Sequence, residues 1–593
     1  MASESSKNEK AHVASTPKLD EEAKATVQLN TPDSHSDWNI AHAGVMPDAV
    51  QAVASQRPHP FFFRLVGSQG AGLEARKAFY RSPARLLSRH VNADGDDVEG
   101  DDAEAKTTDT GENSEIGVKS QVGMYASAFN MLCYAIALGI LSIPAVVANI
   151  GVVPFVLLNL LFAAFHWYTG LMYWQLKLRY PRLQNLSDAG HLLYGETGGF
   201  IFGAIQLLFS IFLQGNHSLL GATAFYTLGW RNTCAIVLTL VFSIISFVFT
   251  LPRSYKLFAV LAFISFSSIT VVVVFVMIAA NISGPQNAPP GSAPIRIAAF
   301  GPAAGGDTSF LSAMNSVTNL LVSYGACPSY MPIISEMRKP AEFKRSLAIL
   351  ILVELVLYTI VGGVIVHALG QYTTSPSLSS LTPLLSKIGY GLGLPVILIA
   401  GCASAQVSGK QLLVLVERRF RRGASAKSLT APESKGRVWI IWIAVNIFTW
   451  TCAFILAELI PFFSSFLSVE SSDTLPLLVA VSLFWSVFIG MATLFHLFII
   501  REDAIEAQQQ PSGDSSPSLI EEKQGATCRD KEGIWRPLYL PSALGGRALA
   551  YAVALGILAA TTFLCVAGIV AAAYGIRDEY ATGNVGRPFT CSV

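Results

Sequence analysis

Two stretches of this 593-residue chain place helix breakers inside otherwise continuous apolar sequence. The first reads AFNMLCYAIALGILSIPAVVANIG, with Gly139 near its middle and Pro144 five residues on. The second reads SVTNLLVSYGACPSYMPIISEMRKP, with Gly325, Pro328 and Pro332. Glycine loosens the backbone, and proline removes a donor and clashes with the preceding turn. The chemistry on offer is that of the bare peptide group. N–H groups freed at the start of a half-helix can hold a carboxylate. Carbonyls freed at the end of another can hold an ammonium. A small zwitterion carries both groups side by side.

The surrounding elements must work in lipid. Only 14% of the residues are charged and 52% are apolar, with a mean hydropathy of +0.47. Residues 1–120 hold 32 of the 81 charges, leaving too few on the remainder to coat a soluble globule. Residues 1–120 read as a cytoplasmic, mostly disordered tail. Within it, residues 60–90 mix aromatics with arginine and suit either a short helix at the inner membrane surface or a solvated basic linker. The polar N-terminus carries no cleavable signal peptide. A net charge of +1 argues against a nucleic-acid partner.

A membrane-spanning helix needs roughly 20 apolar residues. Eleven stretches qualify, at about 122–148, 152–176, 200–229, 232–251, 257–282, 309–335, 347–369, 390–416, 438–462, 475–500 and 548–575. The fold class expected is therefore an all-α polytopic membrane protein, with a transporter domain over 121–576. A long cytoplasmic loop covers 501–547, and a short extracellular tail covers 577–593. With the N-terminus inside, inner loops hold 22 basic residues and outer segments 5. That asymmetry puts the N-terminus in the cytoplasm and the C-terminus outside.

The two interrupted stretches are the first members of two five-span halves. An odd number of spans per half inverts the second half relative to the first. This predicts a five-plus-five inverted repeat (LeuT-like) plus one extra helix, with substrate held at mid-depth between discontinuous helices.

GILSIPAVVANIG, YPRLQNLSDAGHLLYGETG after the second span, and SYGACPSYMPIISEMRKPAEFKRSL at the sixth resemble the amino acid/auxin permease family. They are most similar to its fungal plasma-membrane branch for neutral amino acids. The resemblance covers about residues 120–575. It implies a secondary active transporter of this repeat type that imports amino acids, usually neutral ones, by proton symport.

Placing a substrate on the interruptions assigns its head group to the backbone of Ala135, Ile136, Ala137, Leu138, Gly139, Ile140 and Leu141, and of Ser323, Tyr324, Gly325, Ala326 and Cys327. Ser323 and Tyr324 add hydroxyls. On span three, Gln206, Phe209, Ser210 and Gln214 either border a side-chain pocket or act as polar glue between helices.

Ionisable groups inside spans are costly, so each is read first as functional. Lys410 either fills space that a sodium ion takes in sodium-coupled relatives or snorkels to the headgroups. Those relatives carry Asn where Cys133 stands, and a thiol is a poor ligand for a hard cation, which favours a proton as the coupling ion. Glu336 suits an inner gate with a basic partner, or pairing with Arg338 and Lys339. Glu458 lies near the outer entrance. His217 is the best placed histidine for a proton relay, with packing as its alternative. His166, Glu354, His367 and His496 complete the ionisable set in the spans.

No Walker A, GxSxG or HExxH sequence occurs, so no ATP drive, hydrolase site, metal or cofactor is read. Cysteines 133, 327, 402, 452 and 565 read as small core residues, leaving Cys234 and Cys591 able to meet outside the membrane. Two rivals remain. One is an amino acid sensor on the same fold with little flux. The other is a polytopic acyltransferase, for which no catalytic His/Asp pair is present.

Overall fold

The structure, a computed structural model, describes residues 69–81, 122–289, 291–305, 309–423, 435–459, 483–497 and 544–582. The expectations for the rest of the tail, for most of the 501–547 loop and for residues 583–593 lie outside the described residues.

The described chain is helical. A short helix α1 (Gln69–Arg81) precedes α2 (Met124–Ala135), a 3-10 turn (Leu138–Ser142) and α3 (Ile143–Ile150). Then come α4 (Val152–Arg179), α5 (Leu186–Leu228), α6 (Ala235–Thr250) and α7 (Tyr255–Ser283). A second interrupted pair follows: α8 (Phe310–Ser323), a 3-10 turn (Cys327–Ser329) and α9 (Tyr330–Glu336). The remainder is α10 (Phe343–Leu369), α11 (Pro383–Gly423), α12 (Lys435–Leu459), α13 (Leu483–Leu497) and α14 (Leu544–Thr582).

Among the described residues, seven helices are long and apolar enough to cross a membrane, or eight if the bent pair Met124–Ala135 and Gly139–Ile150 is one span. Two shorter apolar helices are α6 and α13. Polar caps set several starts: Asn185 Oδ1 accepts from Asp188 N at 3.0 Å, and Ser309 Oγ from Ser312 N at 3.2 Å. The helix predicted over 200–229 begins earlier, at Leu186, because a positive-φ Gly195 lets the chain turn between two helical pieces. The helix predicted over 390–416 extends to 383–423 and carries Pro395 within it.

The two interrupted segments lie side by side and antiparallel. α3 packs on α8, and α2 packs on α9. At one end a backbone bridge joins them, with Val122 N donating to Glu336 O at 2.9 Å and Arg338 N to Val122 O at 3.0 Å. Around them, α2 packs on α7, α10 and α11, α3 on α10, and α9 on α4.

The helix α1 rests on protein. Arg76 Nε donates to the Leu192 carbonyl at 3.2 Å, the Tyr80 hydroxyl lies 3.2 Å from His191 Nδ1, and Arg182 Nη1 donates to the Phe79 carbonyl at 3.2 Å. The helix packs on the first turns of α5 and on the turn before it, so residues 69–81 are a docked helix.

Cysteines 133, 327 and 402 are buried and free, and 452 and 565 are half-buried and free. Cys234 is disulfide-bonded, and Cys591 lies outside the described residues.

Gly151 joins α3 to α4 with φ +91°, and a Cβ there would sit 2.8 Å from the Ala299 carbonyl oxygen and 2.8 Å from Phe300 Cα. Both the dihedral and the backbone contact exclude a side chain. Gly151→Ala is expected to lower the stability of the purified protein by about 1–3 kcal/mol. Gly363→Ala, where a Cβ meets nothing within 4 Å, is expected to be neutral or slightly stabilising in the same thermal melt.

Candidate functional site

The first interruption falls at Ile136 and Ala137, both with extended backbone, and not at Gly139 and Pro144. Pro144 lies in the first turn of α3, where no intrahelical donor is lost. Gly139 sits within the 3-10 turn. It is exposed, although it lies between packed helices, and a Cβ on it would meet nothing within 4 Å. An open space therefore borders the first interruption.

The second interruption runs over Tyr324, Gly325 and Ala326, before the turn Cys327–Ser329. A Cβ on Gly325 would press on the Val322 carbonyl oxygen at 2.9 Å, so glycine is needed there for close backbone approach. All five residues from Ser323 to Cys327 are buried.

Neighbouring side chains take up much of the backbone that the breaks release. Tyr358 OH donates to the Ser323 carbonyl at 2.7 Å, and Trp485 Nε1 to the Tyr324 carbonyl at 3.1 Å. Ser329 Oγ donates to the Ala326 carbonyl at 2.7 Å. On the first segment, Ser142 Oγ donates to the Gly139 carbonyl at 2.6 Å and Ser377 Oγ to the Leu141 carbonyl at 2.7 Å. No such side-chain partner is present at Ile136 or Gly325 among the described residues. The Tyr324 hydroxyl is also committed, donating to Asn159 Oδ1 at 2.6 Å. The site thus keeps its irregular backbone rigid and leaves only part of it to bind anything.

The span-three candidates are all buried on α5. The Gln206 amide accepts from Leu186 N at 2.9 Å and donates to the Pro328 carbonyl at 3.3 Å, which ties α5 to the second interruption. Phe209 stacks on Phe484, with centroids 3.7 Å apart. Ser210 Oγ donates to the Gln206 carbonyl at 3.0 Å, and Gln214 Nε2 to Ser408 Oγ at 2.9 Å. Gln214 Oε1 is buried without a partner. These contacts match the bracing alternative for Gln206, whereas Gln214 retains an unused acceptor.

Of the coupling and gating candidates, Lys410 and Glu336 meet each other. Lys410 Nζ lies 2.5 Å from Glu336 Oε1, and both side chains are nearly fully buried. Lys410 neither snorkels nor stands alone, because a buried carboxylate compensates it. The ammonium also sits 3.1 Å from the centroid of the Tyr255 ring, and Glu336 Oε2 accepts from Tyr255 N at 2.9 Å. Lys339, expected as a possible partner of Glu336, instead lies 3.8 Å from Glu342. Glu458 is half-buried on α12. His217 is buried against Gly401, and its Nδ1 has no partner.

The histidine that joins a polar network is His166. Its Nδ1 lies 3.0 Å from Glu354 Oε2, and its Nε2 is hydrogen-bonded to the Tyr330 hydroxyl. The sequence marked His166 and Glu354 as ionisable groups in spans, but nothing in their spacing paired them. Tyr330, Asn159, Tyr358 and Trp485 carried no signal at all.

At one end of the interrupted pair, Asn149 Nδ2 donates to Ser312 Oγ at 2.9 Å and to Ser316 Oγ at 2.6 Å. Ser142 Oγ lies 3.1 Å from Asn319 Oδ1. The interruptions are therefore flanked by neutral hydroxyl and amide groups at this end and by the Glu336–Lys410 pair at the other.

Residues 120–509 match the family model described as transmembrane amino acid transporter protein. An N amino acid transport system protein of Neurospora crassa is 29% identical over 465 residues, spanning 78% of this chain and 86% of that one. A transmembrane transporter of Fusarium pseudograminearum is 26% identical over 333 residues, spanning 55% of this chain and 66% of that one. Among solved structures, Mhp1, a nucleobase-cation-symport-1 family transporter, gives a TM-score of 0.44 at 14% identity, covering 79% of this chain and 95% of that one. A Na+-coupled sialic acid symporter gives 0.44 at 10% identity, covering 88% and 98%. The match over 120–509 carries both interrupted segments and most of the spans, and with it the chain belongs to the transmembrane amino acid transporter family, whose members are integral membrane transporters and not enzymes.

Proposed function

We propose that this chain imports amino acids, mainly neutral ones, by proton symport and alternating access at the plasma membrane. In this reading eleven spans form a five-plus-five inverted repeat plus one helix, with the N-terminus in the cytoplasm and the C-terminus outside. The observation that carries the reading is the antiparallel pair of interruptions, Ile136–Ala137 and Tyr324–Ala326, beside the open space at Gly139. The substrate carboxylate and ammonium bind to peptide groups of Ala135–Leu141 and Ser323–Cys327, and the substrate side chain lies toward Gln214 and its neighbours on α5. The excess of basic residues in the inner loops supports a cytoplasmic side for the Glu336–Lys410 end. The pair and the Val122–Met337 bridge then form the closed inner gate, and release requires them to part. The Neurospora relative's name supports amino acid transport. The neutral hydroxyls and amides at the outer end suit a substrate without net charge.

Uptake by purified protein in proteoliposomes tests this directly, across a panel of amino acids with and without sodium. Accumulation of neutral amino acids is expected under an inward proton gradient, independent of sodium. Binding without accumulation would instead make the chain a sensor.

Gly139→Val is expected to abolish uptake while the melting temperature stays close to that of the unmodified protein, because the added methyls project into open space. Normal uptake by that variant would remove the site from Gly139. The gate yields a further expectation. Lys410→Met leaves Glu336 buried and unpaired, at a cost of about 3–5 kcal/mol in stability. Adding Glu336→Gln, whose carbonyl can still accept from Tyr255 N, is expected to recover most of that loss in a double-mutant cycle.

A further inference from the structure

We propose that Tyr330, His166 and Glu354 form the site that carries the coupling proton. The inference rests on the proton-symport reading and assigns it to atoms. Among the described residues, three buried ionisable sites inside the bundle compete for this role; one is a closed ion pair and one is an isolated imidazole. The Glu336–Lys410 pair is a complete neutral pair whose second carboxylate oxygen is held by Tyr255 N. His217 Nδ1 has no hydrogen-bond partner among the described residues. The third cluster is wholly buried, joins three helices and has one acceptor in reserve.

His166 projects from α4, Glu354 from α10 and Tyr330 from the first turn of α9, and all three are 0% exposed. The His166 and Tyr330 rings stack with centroids 5.6 Å apart. Glu354 Oε2 lies 3.0 Å from His166 Nδ1, while Glu354 Oε1 is buried with no hydrogen-bond partner among the described residues. The groups that face the cluster are Tyr324 and Cys327 from the interruption, Tyr358 from α10 and the Trp485 ring from α13. None of these is a permanent charge, so the balance within the cluster is set by His166 and Glu354 alone.

In the unloaded state His166 is neutral. Its Nδ1–H donates to Glu354, and its Nε2 accepts from the Tyr330 hydroxyl. The cluster then holds one negative charge. On loading, a proton from the outer side forms an N–H bond at Nε2. No bond between heavy atoms changes, and the cluster becomes a neutral imidazolium–carboxylate pair. The Tyr330 hydroxyl can no longer donate to Nε2, so it rotates and accepts instead. Release on the inner side breaks the same N–H bond and restores the first state. Tyr330 begins the half-helix that follows the second interruption, six residues before Glu336 of the inner gate. The reversal at one hydroxyl is thereby transmitted along α9 to that gate. A neutral amino acid adds no net charge, so each cycle moves one.

Tyr330→Phe and Glu354→Gln test the assignment in proteoliposomes, with the potential clamped at zero by potassium and valinomycin. For a one-to-one symporter, an inward gradient of about one pH unit supports about tenfold accumulation of a neutral amino acid. The unmodified protein is expected to reach that ratio. Both variants are expected to fall to a ratio near one, while each still exchanges labelled for unlabelled amino acid without a gradient. The exchange rate of the unmodified protein is expected to depend on pH, and that of both variants is expected not to. Gradient-driven accumulation by either variant at the unmodified level overturns the proposal. So does loss of exchange together with accumulation in Tyr330→Phe, since the hydroxyl would then serve the fold or the substrate. If the unmodified protein itself ignores the gradient, the symport reading fails, and this assignment fails with it.

Discussion

A peptide group inside a membrane has no water to turn to, so every N–H and C=O must find a partner within the protein. The structure is organised around two places where that rule is strained. At Ile136–Ala137 and at Tyr324–Ala326 the helical ladder stops, and side chains from three other places take up carbonyls beside the breaks. Tyr358 on α10 donates to the Ser323 carbonyl, Ser377 in the loop after it to the Leu141 carbonyl and Trp485 on α13 to the Tyr324 carbonyl, while Asn159 on α4 holds the Tyr324 hydroxyl. A helix kink of packing value alone would not need so many polar braces. The braces hold the backbone in one geometry, which is what a site for a small dipolar molecule requires.

The bracing also explains why the polar residues of this bundle divide into two kinds. Some close an account locally, as Gln206 does between Leu186 and Pro328. Others retain unused capacity among the described residues, such as Gln214 Oε1 and Glu354 Oε1. Buried polar groups without partners are unfavourable, so the second kind marks places where something else binds or where a proton resides. Glu354 reaches the turn after the second interruption through His166 and Tyr330, whereas the Glu336–Lys410 pair lies at one end of the interrupted pair.

Much of the fold was legible because its signals are local. Hydrophobic length located the seven long apolar helices, or eight with the bent pair, and glycine and proline located the interruptions to within a few residues. Gly139 and Pro144 drew attention to the right segment, yet the break lies at Ile136 and Ala137, since proline is tolerated in a helix's first turn. The partners were not legible. Lys410 and Glu336 are 74 residues apart in the chain, and His166 and Glu354 are 188 apart. Only the packing of helices decides which buried ionisable groups meet. For the same reason His217 looked like the relay histidine, while His166, which has no distinguishing neighbours in sequence, is the one with an acid and a hydroxyl beside it. The stretch at 60–90 read equally well as surface helix or linker, because docking of residues 69–81 on the start of α5 depends on contacts with residues more than 100 positions away.

The central claim is that the two interruptions form one shared site. Its most direct test is an experimental structure of the full chain determined with a neutral amino acid bound. The account predicts the substrate carboxylate and ammonium against peptide groups of Ala135–Leu141 and Ser323–Cys327, beside Gly139. Substrate seated away from both segments, or both segments running as continuous helices, would contradict it.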